Sequence, residues 1–431
     1  MKQLLFAMLL GAFLGSGSTT ALADPPVQPF YAAVMKMTRE GRLGQVIAKE
    51  RIATSVQGAQ AWRIAYISSD AAGRKTISTG SLISPIGKAP AEGRPVIAWA
   101  HGTTGTAQNC GPSQVYDPTV PLNQYFLVSG TSWTDYGIPS VDTFISKGYV
   151  VVATDYQGLG GGGKHQYNMP ATNGLDLINS ARAASSLKET GANKKVIFIG
   201  WSQGGGSVVR ATTAADYFNQ KGTAADNLQL LGSVAMAPGD VAALVPTPTD
   251  DASAKKVMDG VADGFTKNVF DFAHYAMTMW GLEAANPNLK LSDIFTDEGA
   301  KVVNQIVSNK CVHVAASTFG YAYGDNYKSL MRDQRSNDLG WANALVNGSL
   351  HPAKPIAPLV IYWGTKDVVV APIMNQIYQE QVCKLGGNIE RVQLPGEQTH
   401  FSTPPTSEQF YLPWIQARME GKPFPNGCPA N

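Results

Sequence analysis

The chain has 431 residues, long enough for one large α/β domain with an insertion or for two domains. Hydrophobic residues make up 44%, so a sizeable core can be buried. With 34 Lys+Arg against 32 Asp+Glu, the net charge is +2 and no basic run stands out, which argues against a nucleic-acid partner.

The N-terminus reads as a secretory signal peptide over residues 1–23. Met1-Lys2 is a short basic start, Leu4 to Leu14 an apolar core, and Ala21-Leu22-Ala23 an A-x-A cleavage site before Asp24. The apolar stretch is too short to span a bilayer, no lipobox cysteine follows it, and no other segment approaches transmembrane length. A secreted or periplasmic location follows, with no transmembrane anchor. Charged residues total only 15% and glycines 44, a make-up that fits an extracellular protein.

Residues 45–84 alternate in the β manner through Ala61 to Ile67 and Thr76 to Ile83, a hairpin-like block that ends at Pro85 and Gly87. Continuous apolar runs follow at Val96–Ala100, Tyr149–Ala153, Val196–Ile199, Leu230–Met236 and Leu359–Trp363, with a last strand at Ile389–Leu394. Such runs are expected of strands whose two faces are both covered by helices. Helical patterns lie between them at Gly174–Lys188, Ser207–Lys221 and Ile373–Leu385. The spacing predicts an α/β fold with a mostly parallel central sheet and helices on both faces.

From Asp240 to Pro358 this rhythm breaks. Amphipathic stretches replace strands, notably Phe265 to Trp280. We read a helical cap over residues 240–350, inserted into a core made of 24–239 and 351–431. Its apolar face could line an acyl site, but ordinary packing onto the core accounts for most of these side chains.

Gly200-Trp201-Ser202-Gln203-Gly204 lies between an apolar strand and a helical pattern. G-x-S-x-G in that setting is the nucleophile elbow of α/β-hydrolases. A serine hydroxyl needs a base to attack an ester, and the base needs an orienting carboxylate. In this fold the order is Ser, acid, His. His274, His313, His351 and His400 follow Ser202; His400, after the last strand, has the right place. The acid is expected after Tyr362-Trp363-Gly364, at Asp367, with Asp325 and Asp338 as runners-up. Oxyanion donors are expected at the backbone N–H of Gln203 and in the loop Ala100 to Gly105, at Thr103 or Thr104. His101 reads as a loop-ordering residue.

Gly158 to Lys164 matches G-x-G-x-x-G and most of a phosphate-binding loop, but His165 stands where Ser or Thr would ligand magnesium. We read Asp155 to Gly160 as a flexible loop at the rim of the active site. No cofactor and no metal are expected. Four cysteines, Cys110, Cys311, Cys383 and Cys428, suggest two disulfides with three possible pairings.

Several of these segments together resemble the secretory lipase family, the yeast lipase A type of α/β-hydrolase, in a bacterial-style form. The resemblance is carried by His101-Gly102-Thr103 leading to Asn109-Cys110-Gly111-Pro112-Ser113, by Asp155-Tyr156-Gln157-Gly158-Leu159 and by Gly200 to Gly205. It is carried most specifically by Asp367-Val368-Val369-Val370 running through Glu380 to Ile389 to His400. It implies an α/β-hydrolase with a helical cap, Ser202-Asp367-His400 chemistry on acyl esters, and disulfides Cys110–Cys311 and Cys383–Cys428. Fungal members place an Asp in the oxyanion loop where this chain has Thr104.

The expected function is a secreted serine carboxylesterase or lipase acting on small-molecule or lipid esters through an acyl-enzyme, with transient contact of the cap with a lipid interface. Alternatives are an acyltransferase or polyester hydrolase of the same chemistry, or a non-catalytic envelope binding protein on a hydrolase scaffold.

Overall fold

The computed structural model describes residues 28–114, 137–239 and 245–428. Residues 1–23, read above as a signal peptide with its cleavage site, and Asp240, where the insertion is expected to begin, lie outside the described residues.

Nine strands form one sheet among the described residues. They are β1 (Val46–Ile52), β2 (Ala59–Ser69), β3 (Lys75–Pro85), β4 (Arg94–Ala100), β5 (Val150–Gln157), β6 (Ala192–Trp201), β7 (Gln229–Met236), β8 (Leu359–Trp363) and β9 (Glu390–Gln393). Their order is β1-β2-β3-β5-β4-β6-β7-β8-β9. The first three pair antiparallel, β3 pairs antiparallel with β5, and the rest are parallel. The block 45–84 is therefore three strands, not the hairpin-like pair that its sequence suggests. Val46–Ile52 pairs on one side only, and half-exposed edge residues such as Lys49 and Glu50 blur its alternation.

Both faces of the parallel strands are covered. Val96, Ala98 and Ala100 of β4 face one core with Leu177, Ile178, Val208 and Val209; Ile97 and Trp99 face another with Phe144, Ile145, Tyr411 and Ile415. The covering helices are placed by chain order. Among the described residues, α1 (Pro29–Val34), α2 (Val141–Ser146), α3 (Pro170–Ser186), α4 (Gln203–Thr213) and α5 (Ala215–Phe218) precede β7. Between β7 and β8 come α6 (Asp251–Phe265), α7 (Val269–Ala285), α8 (Leu291–Ile294), α9 (Asp297–Val307), α10 (Val312–Tyr323) and α11 (Asp338–Gly348). Then come α12 (Pro372–Lys384) and α13 (Thr403–Met419).

The helices between β7 and β8 carry their own core around Phe272, Tyr275, Met279, Phe295, Phe319 and Trp341. Helix α7 runs through its middle and is buried on nearly every side. Asn268 starts it by accepting a hydrogen bond from the Asp271 N–H. As expected, ordinary packing accounts for most of the apolar residues from Phe265 to Trp280, but it is against the neighbouring helices between β7 and β8.

The segment Asp155 to Gly160 is not a flexible rim. Strand β5 continues to Gln157, and Asp155, Tyr156 and Leu159 are all buried. The glycine loop after it is pressed against its neighbours. A Cβ on Gly161 would lie 2.0 Å from the Ile77 carbonyl oxygen. Close packing on β3 accounts for Gly161, and positive φ accounts for Gly158, Gly160, Gly162 and Gly163.

Chain order places β4 between β5 and β6, so connections leave it in opposite directions. Ligand crevices in open α/β sheets form at the carboxyl ends of strands at such a reversal. The loop after β4 and the turn after β6 meet there.

Candidate active site

The turn after β6 is as tight as the G-x-S-x-G spacing demands. Ser202 has φ +57° and ψ −120°, a conformation that L-residues hold only under constraint. A Cβ on Gly200 would lie 2.4 Å from the Gly204 oxygen, and one on Gly204 1.9 Å from the Ala100 oxygen. The turn is pinned from both sides. The Ser202 N–H donates to the Met236 oxygen at 2.9 Å, and the Ser202 carbonyl accepts from the Gly239 N–H at 2.8 Å.

His400 reaches the serine from the loop after β9. Its Nε2 lies 2.8 Å from Ser202 Oγ, and its Nδ1 lies 2.8 Å from Asp367 Oδ2. Asp367 follows β8, and its Oδ1 accepts from the N–H groups of Val369 and Val370 at 3.0 and 2.8 Å. The carboxylate is held as an acceptor on both oxygens. Nδ1 of the imidazole therefore carries the proton, and Nε2 presents a lone pair to the hydroxyl. All three side chains are buried. The loops that carry them are tied together, because the Lys366 N–H donates to the Gln398 oxygen at 2.9 Å.

The runner-up residues lie elsewhere. Asp338 pairs with Arg335 at the start of α11, and Asp325 is in the short helical segment Gly324–Leu330. His351 is exposed, and His274 and His313 lie on α7 and α10.

Gln203, Thr103 and Thr104 separate in the structure. Gln203 is the first residue of α4, where an N–H has no intrahelical partner and the helix dipole is positive. Thr103 lines the cleft, and its Oγ1 lies 2.8 Å from the Tyr167 hydroxyl. Thr104 is wholly buried, and its carbonyl accepts from the Val312 N–H at 3.0 Å. It meets the start of α10 and does not line the cleft.

His101 is buried, with Nδ1 2.6 Å from the Gly102 oxygen and Nε2 3.3 Å from the Asp155 oxygen; burial lowers its pKa to about 4. It orders the loop, as its position before the elbow suggests. Asp155, pushed up to about 6 by burial, accepts from Thr79 Oγ1 at 2.7 Å and from Ser113 through both N–H and hydroxyl.

Other residues of the site are not evident in the sequence. The Gln203 amide nitrogen lies 3.1 Å from His165 Nε2 and 3.2 Å from Asn173 Oδ1. Burial lowers His165 to about 3, and its Nδ1 lies 2.8 Å from the Gln157 oxygen. Nε2 of this neutral ring is thus the acceptor for Gln203. The cleft is walled on one side by Val369, Val370, Met374 and Phe401 and on the other by Tyr167 and residues of α6 and α7. From α7 it receives Phe270, His274 and Thr278, spaced four apart on one stripe. That four-residue period is the one signal the sequence offered.

Two disulfides are present, Cys110–Cys311 and Cys383–Cys428. The first ties the segment after the Thr103 loop to the start of α10.

Residues 124–427 match the family described as secretory lipase. The chain belongs to that family. It is a serine ester hydrolase of the lipase and esterase type, on an α/β-hydrolase fold. Among secretory lipase relatives, it is 24% identical to Lipase 10 of Candida albicans, over 99% of this chain and 88% of that one. Lipase A of Moesziomyces aphidis is 23% identical over 86% of this chain and 75% of its own. Among solved structures, Candida antarctica lipase A in its closed state superposes with a TM-score of 0.67 at 19% identity, covering 94% of this chain and 89% of that one. A ligand-bound form of the rice cell wall degrading esterase LipA from Xanthomonas oryzae gives 0.65 at 17%, covering 89% and 100%. These superpositions are likenesses of fold.

Proposed function

We propose that Ser202, His400 and Asp367 are the catalytic triad of an exported carboxylesterase or lipase, working through an acyl-enzyme. One observation carries this reading: the unbroken chain from Asp367 Oδ2 through the His400 ring to Ser202 Oγ, with both hydrogen bonds at 2.8 Å, at the floor of the cleft.

Ser202 Oγ attacks the ester carbonyl while His400 Nε2 takes its proton. Asp367 holds the ring in the productive tautomer and balances the imidazolium. The oxyanion is met by the Gln203 N–H at the head of α4 and by the N–H of Thr103, which faces the cleft; Thr104 supports the loop from behind. As the tetrahedral intermediate collapses, His400 returns the proton to the departing alcohol. A water then attacks the acyl-Ser202 ester, giving its proton to His400, and a second collapse frees the acid and restores the serine.

The substrate is an acyl ester, small-molecule or lipid. In this reading residues 240–350 act as a cap over a core of 24–239 and 351–431. Contact with a lipid surface is supported at the mouth of the cleft, where Val368 is 92% exposed and Val369, Ile373 and Phe401 also face solvent. These residues belong to the core loops, so the surface would meet that side as well as the cap. Export is supported by the leader-like residues 1–23 and by the two disulfides, which suit an oxidising compartment.

A fluorophosphonate probe tests the nucleophile. Labelling should map to the Ser202 peptide, and Ser202→Ala should lose both the label and ester turnover, on the order of 10⁴-fold or more in kcat. Undiminished turnover by that variant would remove Ser202 from the mechanism.

A further inference from the structure

Phe270 stands where two hollows meet. Its side chain lines the cleft above Ser202. The same residue, with Val269 of α7 and His313, Ala316, Gly320 and Tyr321 of α10, lines a second, outer hollow. This outer hollow is mostly apolar and opens widely to solvent. The Phe270 ring is held between two imidazoles, 4.5 Å from His274 on the cleft side and 5.3 Å from His313 on the outer side. The His274 Nδ1–H donates to the Phe270 carbonyl oxygen at 2.9 Å, which fixes the inner imidazole on the first turns of α7. Burial lowers the pKa of both histidines, His313 to about 4, so the wall carries no charge at neutral pH.

The alcohol half of an ester must leave beside His400 Nε2, which returns its proton. That places the alcohol along the Phe401 and Met374 wall. The acyl half then extends the other way, toward α7. We propose that the Phe270 ring is the partition that sets the longest acyl chain accepted at Ser202, and that the outer hollow would take the rest of a longer chain once the ring is removed. The inference rests on the reading of Ser202 as the nucleophile. An alkyl chain that ends at the ring is buried along its length; a longer one must fold back or stay in water. Each methylene that gains burial beyond the ring should be worth about fourfold in kcat/KM.

The test is a series of p-nitrophenyl esters from butyrate to hexadecanoate. Phe270→Ala should raise the ratio of kcat/KM for hexadecanoate over butyrate by about tenfold or more, and Phe270→Leu should raise it less. Gly320→Phe supplies the control. A Cβ there meets only Val269, at 3.8 Å, so the ring can fill the outer hollow. It should leave the ratio alone when Phe270 is intact and cancel the gain of Phe270→Ala. An unchanged ratio in both Phe270 variants, or a gain that Gly320→Phe does not reverse, overturns the proposal. Failure of the nucleophile reading shows separately, as butyrate turnover that survives Ser202→Ala, and it overturns both.

Discussion

The indole N–H of Trp201 donates to the carbonyl oxygen of His400 at 3.1 Å, and the two rings lie 5.0 Å apart. The residue before the elbow serine thus holds the loop that brings the imidazole to it. Trp201→Phe keeps most of the apolar contact and loses the donor. It should cost about 1 kcal/mol of stability and lower kcat by about tenfold or less, with KM little changed. Urea unfolding beside steady-state kinetics checks both; a change confined to KM would contradict it.

Asp367→Asn should retain the Val369 and Val370 hydrogen bonds through its amide oxygen but turn an N–H toward His400. The ring would then have to accept at Nδ1 and carry its proton on Nε2, where it cannot take the serine proton. The expected loss is on the order of 10⁴-fold in kcat with KM nearly constant. Asp325→Asn and Asp338→Asn should leave kcat near wild type, and damage from either would relocate the acid.

Stability should respond to pH through buried groups of opposite sign. His101 and His165 have pKa values lowered to about 4 and about 3, whereas in the unfolded chain they titrate near 6.5. Their contribution is present above that value and is lost as pH falls toward the folded pKa. Asp155 and Asp176, raised by burial to about 6, stabilise at low pH and lose that contribution as pH rises through 6. Over the shared window of about pH 4 to 6, each group changes the slope by about 1.4 kcal/mol per pH unit. His165→Gln should lower the slope of unfolding free energy against pH by that amount, and Asp155→Asn should raise it. Urea unfolding at several pH values reads both, and equal slopes in all three proteins would exclude the assignment.

The two disulfides should separate in function. Cys110–Cys311 spans 201 residues, and beside it Gly105 pairs with Cys311 while Val312 holds Thr104, so the Thr103 loop is anchored to the start of α10. Cys383–Cys428 spans 45 residues and pins the C-terminal segment to α12. Removing either bond with paired serines should cost roughly 2–4 kcal/mol. Only Cys110→Ser with Cys311→Ser should also lower kcat, measured on a short-chain ester.

What could be read from the sequence was what is enforced locally or by order. Gly200 and Gly204 are dictated by a turn with no room for a Cβ, so the elbow is legible in five residues. His400 and Asp367 are legible because each closes a strand in a fixed succession. The resemblance supplied both disulfide pairings. Contacts made across the fold were not legible. Nothing near His165 in sequence indicates that it faces Gln203, 38 residues away. Asp155 to Gly160 reads as a loop because its glycines signal turns; Gly158 and Gly160 do turn, at φ +82° and +124°, but β5 runs on to Gln157 and the turn is pressed against His165 and Thr79. The first strand blends into its neighbours in the sequence pattern because an edge strand need not alternate cleanly.

The order of the cysteines has a consequence for biogenesis. Each cysteine bonds the next one along the chain, first Cys110 with Cys311 and then Cys383 with Cys428. A polypeptide that crosses a membrane from its N-terminus presents the first two thiols before the third has emerged. An oxidase that joins thiols as they appear makes the native bond each time, and no mixed pairing has to be undone by slow thiol exchange. For an exported chain, this order predicts maturation with an oxidant and without a disulfide isomerase.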